Sequence, residues 1–139
     1  MTQLVDDQLL SVRLRTGIQP RPGEELYSTG CWYVRLCQAA LGATGRDGVL
    51  SSPFESLPAP IRQQALHAVL ELPDDVGVLS LRLLGPLIGQ LRRRHQLNIL
   101  SIEALAAALY LEADVYLSAP SPRLEEALRA EGRSVQLHH

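Results

Sequence analysis

Three carboxylates carry the chemistry this sequence could do. Asp6 and Asp7 close the apolar pair Leu4-Val5 near the N-terminus, and Glu103 opens the apolar run that continues to Leu111. Gathered oxygen donors of this kind hold hard divalent cations such as Mg²⁺ or Mn²⁺, which activate water and steady charge on phosphate. Each acid also has a plainer reading. Asp6 can cap a helix by accepting bonds from its free amides, and Asp7 can be a surface acid of the first turn. Glu103, read in the first turn of its helix, can complement that helix's dipole. It follows Ser101 by two residues rather than three, so it does not complete a capping box.

Other chemistries find little support. The chain has no Ser-His-Asp order, no Gly-rich phosphate loop and no zinc-ligand spacing. Cys31 and Cys37 are six apart on one predicted helix, roughly 240° around an axis that turns about 100° per residue, so they cannot pair. They read as buried, reduced thiols of a cytoplasmic protein. His67 and His95 fall on separate helices with no acid close by in sequence, and their default roles are structural. Trp32 reads as core and Tyr33 as rim, with stacking on bases as the sharper alternative. Arg92-Arg93-Arg94 complements a helix C-terminus or grips RNA phosphate.

The elements that must position these groups alternate in type. Residues 3–5 form a short strand and 7–15 a helix, with Leu9, Leu10 and Leu14 on one side. Residues 17–23, with Pro20 and Pro22, form a loop. A helix capped by Ser28 or Thr29 runs to about residue 41. Residues 42–60 are rich in Gly, Ser and Pro and read as a connector. A helix over 59–72 repeats Ile61, Ala65, Val69 and Leu72. A strand at 76–80 and a helix over 81–95 follow, and Gly85-Pro86 should kink that helix. The apolar helix at 101–112, a strand at 114–117, a helix at 122–131 capped by Ser121, and a strand at 134–137 complete the order. Strands alternating with helices imply a mostly parallel sheet covered on both faces, which places ligands at the carboxyl ends of the strands.

Composition sets the frame. The 139 residues are 46% hydrophobic and 20% charged, the balance of an ordinary globular domain. All 13 basic residues are arginine, as in proteins of GC-rich genomes, and a net charge of −2 provides no general attraction for nucleic acid. No apolar stretch reaches the ~18 residues that would span a bilayer, and the N-terminus lacks the pattern of a secretory signal. Residues 1–137 read as a single domain. His138-His139 reads as a tag remnant or a disordered end and is given no role.

The words Leu4-Val-Asp-Asp-Gln-Leu-Leu10, Val76-Gly-Val-Leu-Ser80, Leu100-Ser-Ile-Glu-Ala-Leu105 and Ala113-Asp-Val-Tyr-Leu-Ser118 occur in an order that resembles the PIN-domain family, especially single-domain toxins of the VapC type. The resemblance implies a three-layer α/β/α domain with a short parallel sheet of four or five strands. It also implies divalent-metal-dependent cleavage of RNA, with Asp6 and Glu103 as catalytic metal ligands and Asp7 as a weaker one. Glu103 stands where the family usually has aspartate. Homodimerisation, a small antitoxin-like partner and contact with RNA are further implications. Two departures count against full activity. The helix stretch Cys31-Trp-Tyr-Val-Arg-Leu36 presents Arg35 and no acid, and Pro120 stands where another aspartate is usual. Two of four expected acids are therefore missing, so the sequence implies impaired cleavage by one weakly held Mg²⁺ or Mn²⁺. The alternative is a pseudo-nuclease that binds protein or RNA without cutting.

Overall fold

The computed structural model describes residues 1–42 and 50–138. Along the chain run β1 (Thr2–Val5), α1 (Asp7–Thr16), β2 (Glu25–Ser28), α2 (Gly30–Ala40), α3 (Ser52–Glu55), α4 (Ala59–Leu70), β3 (Val76–Val78), α5 (Leu81–Leu91), α6 (Ile99–Leu111), β4 (Asp114–Leu117), α7 (Pro122–Ala130) and β5 (Val135–Leu137). All five strands are parallel, in the order β3-β2-β1-β4-β5. The chain builds outward from β1 through β2 to β3, then returns to β4 on the other side of β1. Strand order therefore reverses between β1 and β4, and the crevice outside their carboxyl ends is where such sheets bind ligands.

Side-chain alternation along the strands divides the interior into two cores. Leu4, Val115 and Leu117 pack with α5, α6 and α7, whereas Val5, Leu26 and Tyr116 pack with α1, α2 and α4. The result is the three-layer α/β/α arrangement expected from the sequence. Helix α6 is the most buried element. Its residues 101–108 are all inaccessible or nearly so, which explains why it is apolar all round.

Several sequence expectations change. Strand β2 was not anticipated, and neither was α3, which lies in the stretch read as a connector; residues 43–49 of that stretch fall outside the described residues. Helix α5 continues through Pro86. Pro86 and Arg82 are both on the exposed side, so the carbonyl that loses its amide partner can turn to water. Helix α4 ends at Leu70 and leaves Ile61 exposed, burying Ala65 and Val69. The amide of His138 donates to Leu117 O at 2.8 Å, and its ring meets Tyr116 edge-on. None of the helices among the described residues is long and apolar enough to cross a membrane.

Candidate functional site at the carboxyl ends of the central strands

Asp6 ends β1 in an extended conformation and begins α1. Its Oδ1 accepts the Leu9 amide at 3.0 Å, so the capping role read from sequence is present. Its Oδ2 reaches across the switch point and accepts both the backbone amide and the hydroxyl of Ser118, each at 2.7 Å. Ser118 stands just past β4 as Asp6 stands just past β1, and neighbouring parallel strands bring the two together. On the other side of β1, the buried Ser28 hydroxyl donates to Val5 O at 2.8 Å. The three strand ends are thus tied laterally by side chains where the ladder stops.

Glu103 does something the sequence did not foretell. The helix cap is Asn98, whose Oδ1 accepts the Ser101 amide at 2.9 Å, and not a residue at 101. Glu103 therefore lies in the second turn, fully buried, and does not serve its own helix's dipole. Its carboxylate faces the N-terminus of α2 instead. There Oε1 accepts the Cys31 amide at 2.8 Å and Oε2 the Gly30 amide at 3.2 Å. A helix N-terminus presents free amides and partial positive charge, so a buried carboxylate is accommodated there. Thr29 Oγ1 accepts the Trp32 amide at 3.1 Å and completes the cap. A Cβ at Gly30 would stand 3.1 Å from Glu103 Oε2, a tight contact that the carboxylate would have to relieve by a few tenths of an ångström.

Asp7 is buried rather than a surface acid. Oδ1 accepts the Gln8 amide at 2.8 Å, while Oδ2 has no hydrogen bond among the described residues. Arg35 Nε approaches that oxygen to 3.4 Å, an ion pair without hydrogen-bond alignment. Burial pushes the Asp7 carboxyl upward from its usual pKa, and the Arg35 guanidinium partly offsets this. The thiols are half-buried and unpaired. Burial first, and then the neighbouring Glu103 carboxylate, push Cys31 up to about 11, which leaves a protonated thiol and a poor nucleophile. Trp32 is in the core as expected. Tyr33 is half-buried and donates its hydroxyl to Val69 O at 2.6 Å, a tie between α2 and α4.

The acids therefore gather at one end of the sheet, but their oxygens are largely engaged. Asp6 accepts three hydrogen bonds and Glu103 two, and the open oxygen of Asp7 faces an arginine. Among the described residues, no three His, Cys, Asp or Glu side chains stand close enough together to hold a metal ion. Such a donor set does not fit a two-ion centre, and a single ion would have to displace existing hydrogen bonds. The histidines do have acids after all. His67 lies 3.4 Å from Glu71 one turn on, and His95 Nε2 lies 2.7 Å from Glu131.

An all-parallel five-stranded sheet with helices on both faces and acids at the carboxyl ends of its central strands is a PIN-like architecture. A solved structure, VapBC-1 from nontypeable Haemophilus influenzae, is similar over 98% of this chain and 97% of that chain, with a TM-score of 0.52 and 17% identity. At this identity the likeness is one of fold. No family model matches the chain. The curated proteins likewise contain no match.

Proposed function

We propose that this PIN-like protein acts in the cytoplasm as a non-catalytic binding module that has lost metal-dependent RNA cleavage. The observation that supports this most is the engagement of Glu103 by the first two amides of α2. A carboxylate held in this way stabilises a helix and is not presented to solvent as an open ligand. Arg35 adds to the case, because it supplies positive charge beside Asp7 where the resemblance expects an acid. The partner to test first is a small antitoxin-like protein, with a second copy of this chain next; the likeness in fold to VapBC-1 supports that choice.

The second reading is a residual ribonuclease in which Asp6 and Glu103 carry one weakly held Mg²⁺ or Mn²⁺, helped by Asp7. It is favoured by Asp7 Oδ2, a buried oxygen without a hydrogen bond among the described residues. Incubation with single-stranded RNA and Mn²⁺, beside Asp6→Asn and Glu103→Gln variants, separates the two. The binding reading expects no cleavage above a metal-free control and no thermal stabilisation by Mn²⁺. Cleavage abolished by both substitutions would establish the ribonuclease and remove the first reading.

A further inference from the structure

Of the three acids at the carboxyl ends of the central strands, two have both oxygens engaged from within the chain. Asp6 is held by Leu9 and Ser118, and Glu103 by the first two amides of α2. Asp7 differs. Its side chain is 8% exposed, and its Oδ2 is the one buried side-chain oxygen or nitrogen among the described residues that has no hydrogen-bond partner. A buried carboxylate oxygen in that condition is costly unless opposite charge stands beside it.

That charge comes from Arg35. Glu103 anchors α2 at Gly30 and Cys31, and Arg35 stands one turn beyond Cys31 on the same face. Its Nε lies 3.4 Å from Asp7 Oδ2, and its side chain is 55% exposed. The contact is not the usual one between these groups. A guanidinium that secures a carboxylate presents two parallel N–H bonds, as Arg94 does to Glu131 at 2.7 and 2.9 Å. Arg35 gives charge without a bond. The separation is instead close to that of two neighbouring oxygens on one octahedral Mg²⁺ or Mn²⁺, about 3 Å when each bond is ~2.1 Å. A glutamate's carboxylate oxygens are as many bonds from Cα as an arginine's Nε. Nε therefore sits where an acid at this position would share an ion with Asp7.

We infer that residue 35 decides which cation balances Asp7: Arg35 supplies the charge a divalent ion would bring and takes the place of a ligand to it. The acids do not fit a metal ion, in part because a side chain already acts as their cation. This role for Arg35 rests on the reading that metal-dependent cleavage is lost, and gives Arg35 a part in that loss. It also makes the fold independent of metal, since the chain itself carries the balancing charge.

The test is a titration of the full chain with Mn²⁺, followed by melting temperature and by the relaxation of water protons around bound Mn²⁺, with circular dichroism as the check on folding. The natural chain should show no stabilisation by Mn²⁺. Arg35→Glu should melt lower than the natural chain in metal-free buffer, because two carboxylates then face each other, and should recover on adding Mn²⁺. Its Mn²⁺ affinity should be at least about tenfold tighter than that of the natural chain, since a repelling charge is replaced by a charged ligand. Arg35→Gln removes the charge and keeps an oxygen at the same reach, so it serves if Arg35→Glu loses its fold; a gain of at least about threefold is expected. Smaller gains in whichever variant folds, or a gain that survives adding Asp7→Asn to Arg35→Glu, would overturn the role given to Arg35. RNA cleavage by the natural chain is a separate readout. It would remove the binding-module reading, whereas the ratio of Mn²⁺ affinities alone decides what Arg35 does.

Discussion

Glu131 accepts both Nε and Nη2 of Arg94, at 2.7 and 2.9 Å, and lies 2.7 Å from His95 Nε2. These hydrogen bonds, the one from Arg94 foremost, hold its pKa at about 2 against an ordinary 4.5. The folded value is the lower one, so the stability this carboxylate contributes is present above about pH 4.5 and is lost as the pH falls toward about 2. Urea midpoints measured across that interval should fall more steeply for the natural chain than for Glu131→Gln. Equal slopes would mean that the cluster contributes little. Neither histidine's acid was picked out from the sequence. Glu131 is 36 residues from His95 and needs the fold to bring it close, whereas Glu71 is one helical turn from His67 and was legible but overlooked.

Helix ends show which elements local sequence can announce. Asp6, Thr29 and Ser80 all cap as their types suggest, because a cap is settled within three residues. The start of α6 was misplaced because Asn98 and Ser101 are both good caps, and the error moved Glu103 into the wrong turn. Strand β2 was hidden for another reason. It has only four residues, Glu-Leu-Tyr-Ser, between a proline-rich loop and the Thr29 cap. Its presence is required by the parallel neighbour it gives to β1, which is a tertiary demand. At the end of α6, Glu112 takes a left-handed conformation, φ 51°, without being glycine. That costs a side-chain-bearing residue about 1–2 kcal/mol, partly offset in glycine by a more flexible unfolded chain. Glu112→Gly should therefore stabilise the fold by roughly 0.5–1 kcal/mol in denaturant titrations. A second element-level prediction concerns Gly77, paired in register with Tyr27, whose ring occupies the space a Cβ would take. Gly77→Ala should displace the ring and lower stability by about 1–3 kcal/mol, the usual cost of overpacking.

Across the whole molecule, Glu103 connects the two layers of helices. It belongs to α6, packed in one core, and its carboxylate holds the start of α2, whose Leu36 belongs to the other. Hydrogen bonds to a buried charge contribute about 1.5–3 kcal/mol each, and glutamine can offer only one acceptor to two amides. Glu103→Gln should thus cost about 2–3 kcal/mol, read as a shift in urea midpoint; a change below ~0.5 kcal/mol would mean that α2 finds other acceptors. The layered fold was legible in the alternation of strand and helix patterns, and the caps in residue type. The network that engages the acids was not, since Asp6 and Ser118 are 112 residues apart and Glu103 lies 72 residues from Cys31. The bond from Cys31 and Gly30 to this one side chain has a practical corollary. Deuterium uptake at those two positions becomes a label-free gauge of anything that draws the carboxylate away, whether cation, peptide or nucleotide, because the first turn of α2 must open to solvent when it leaves.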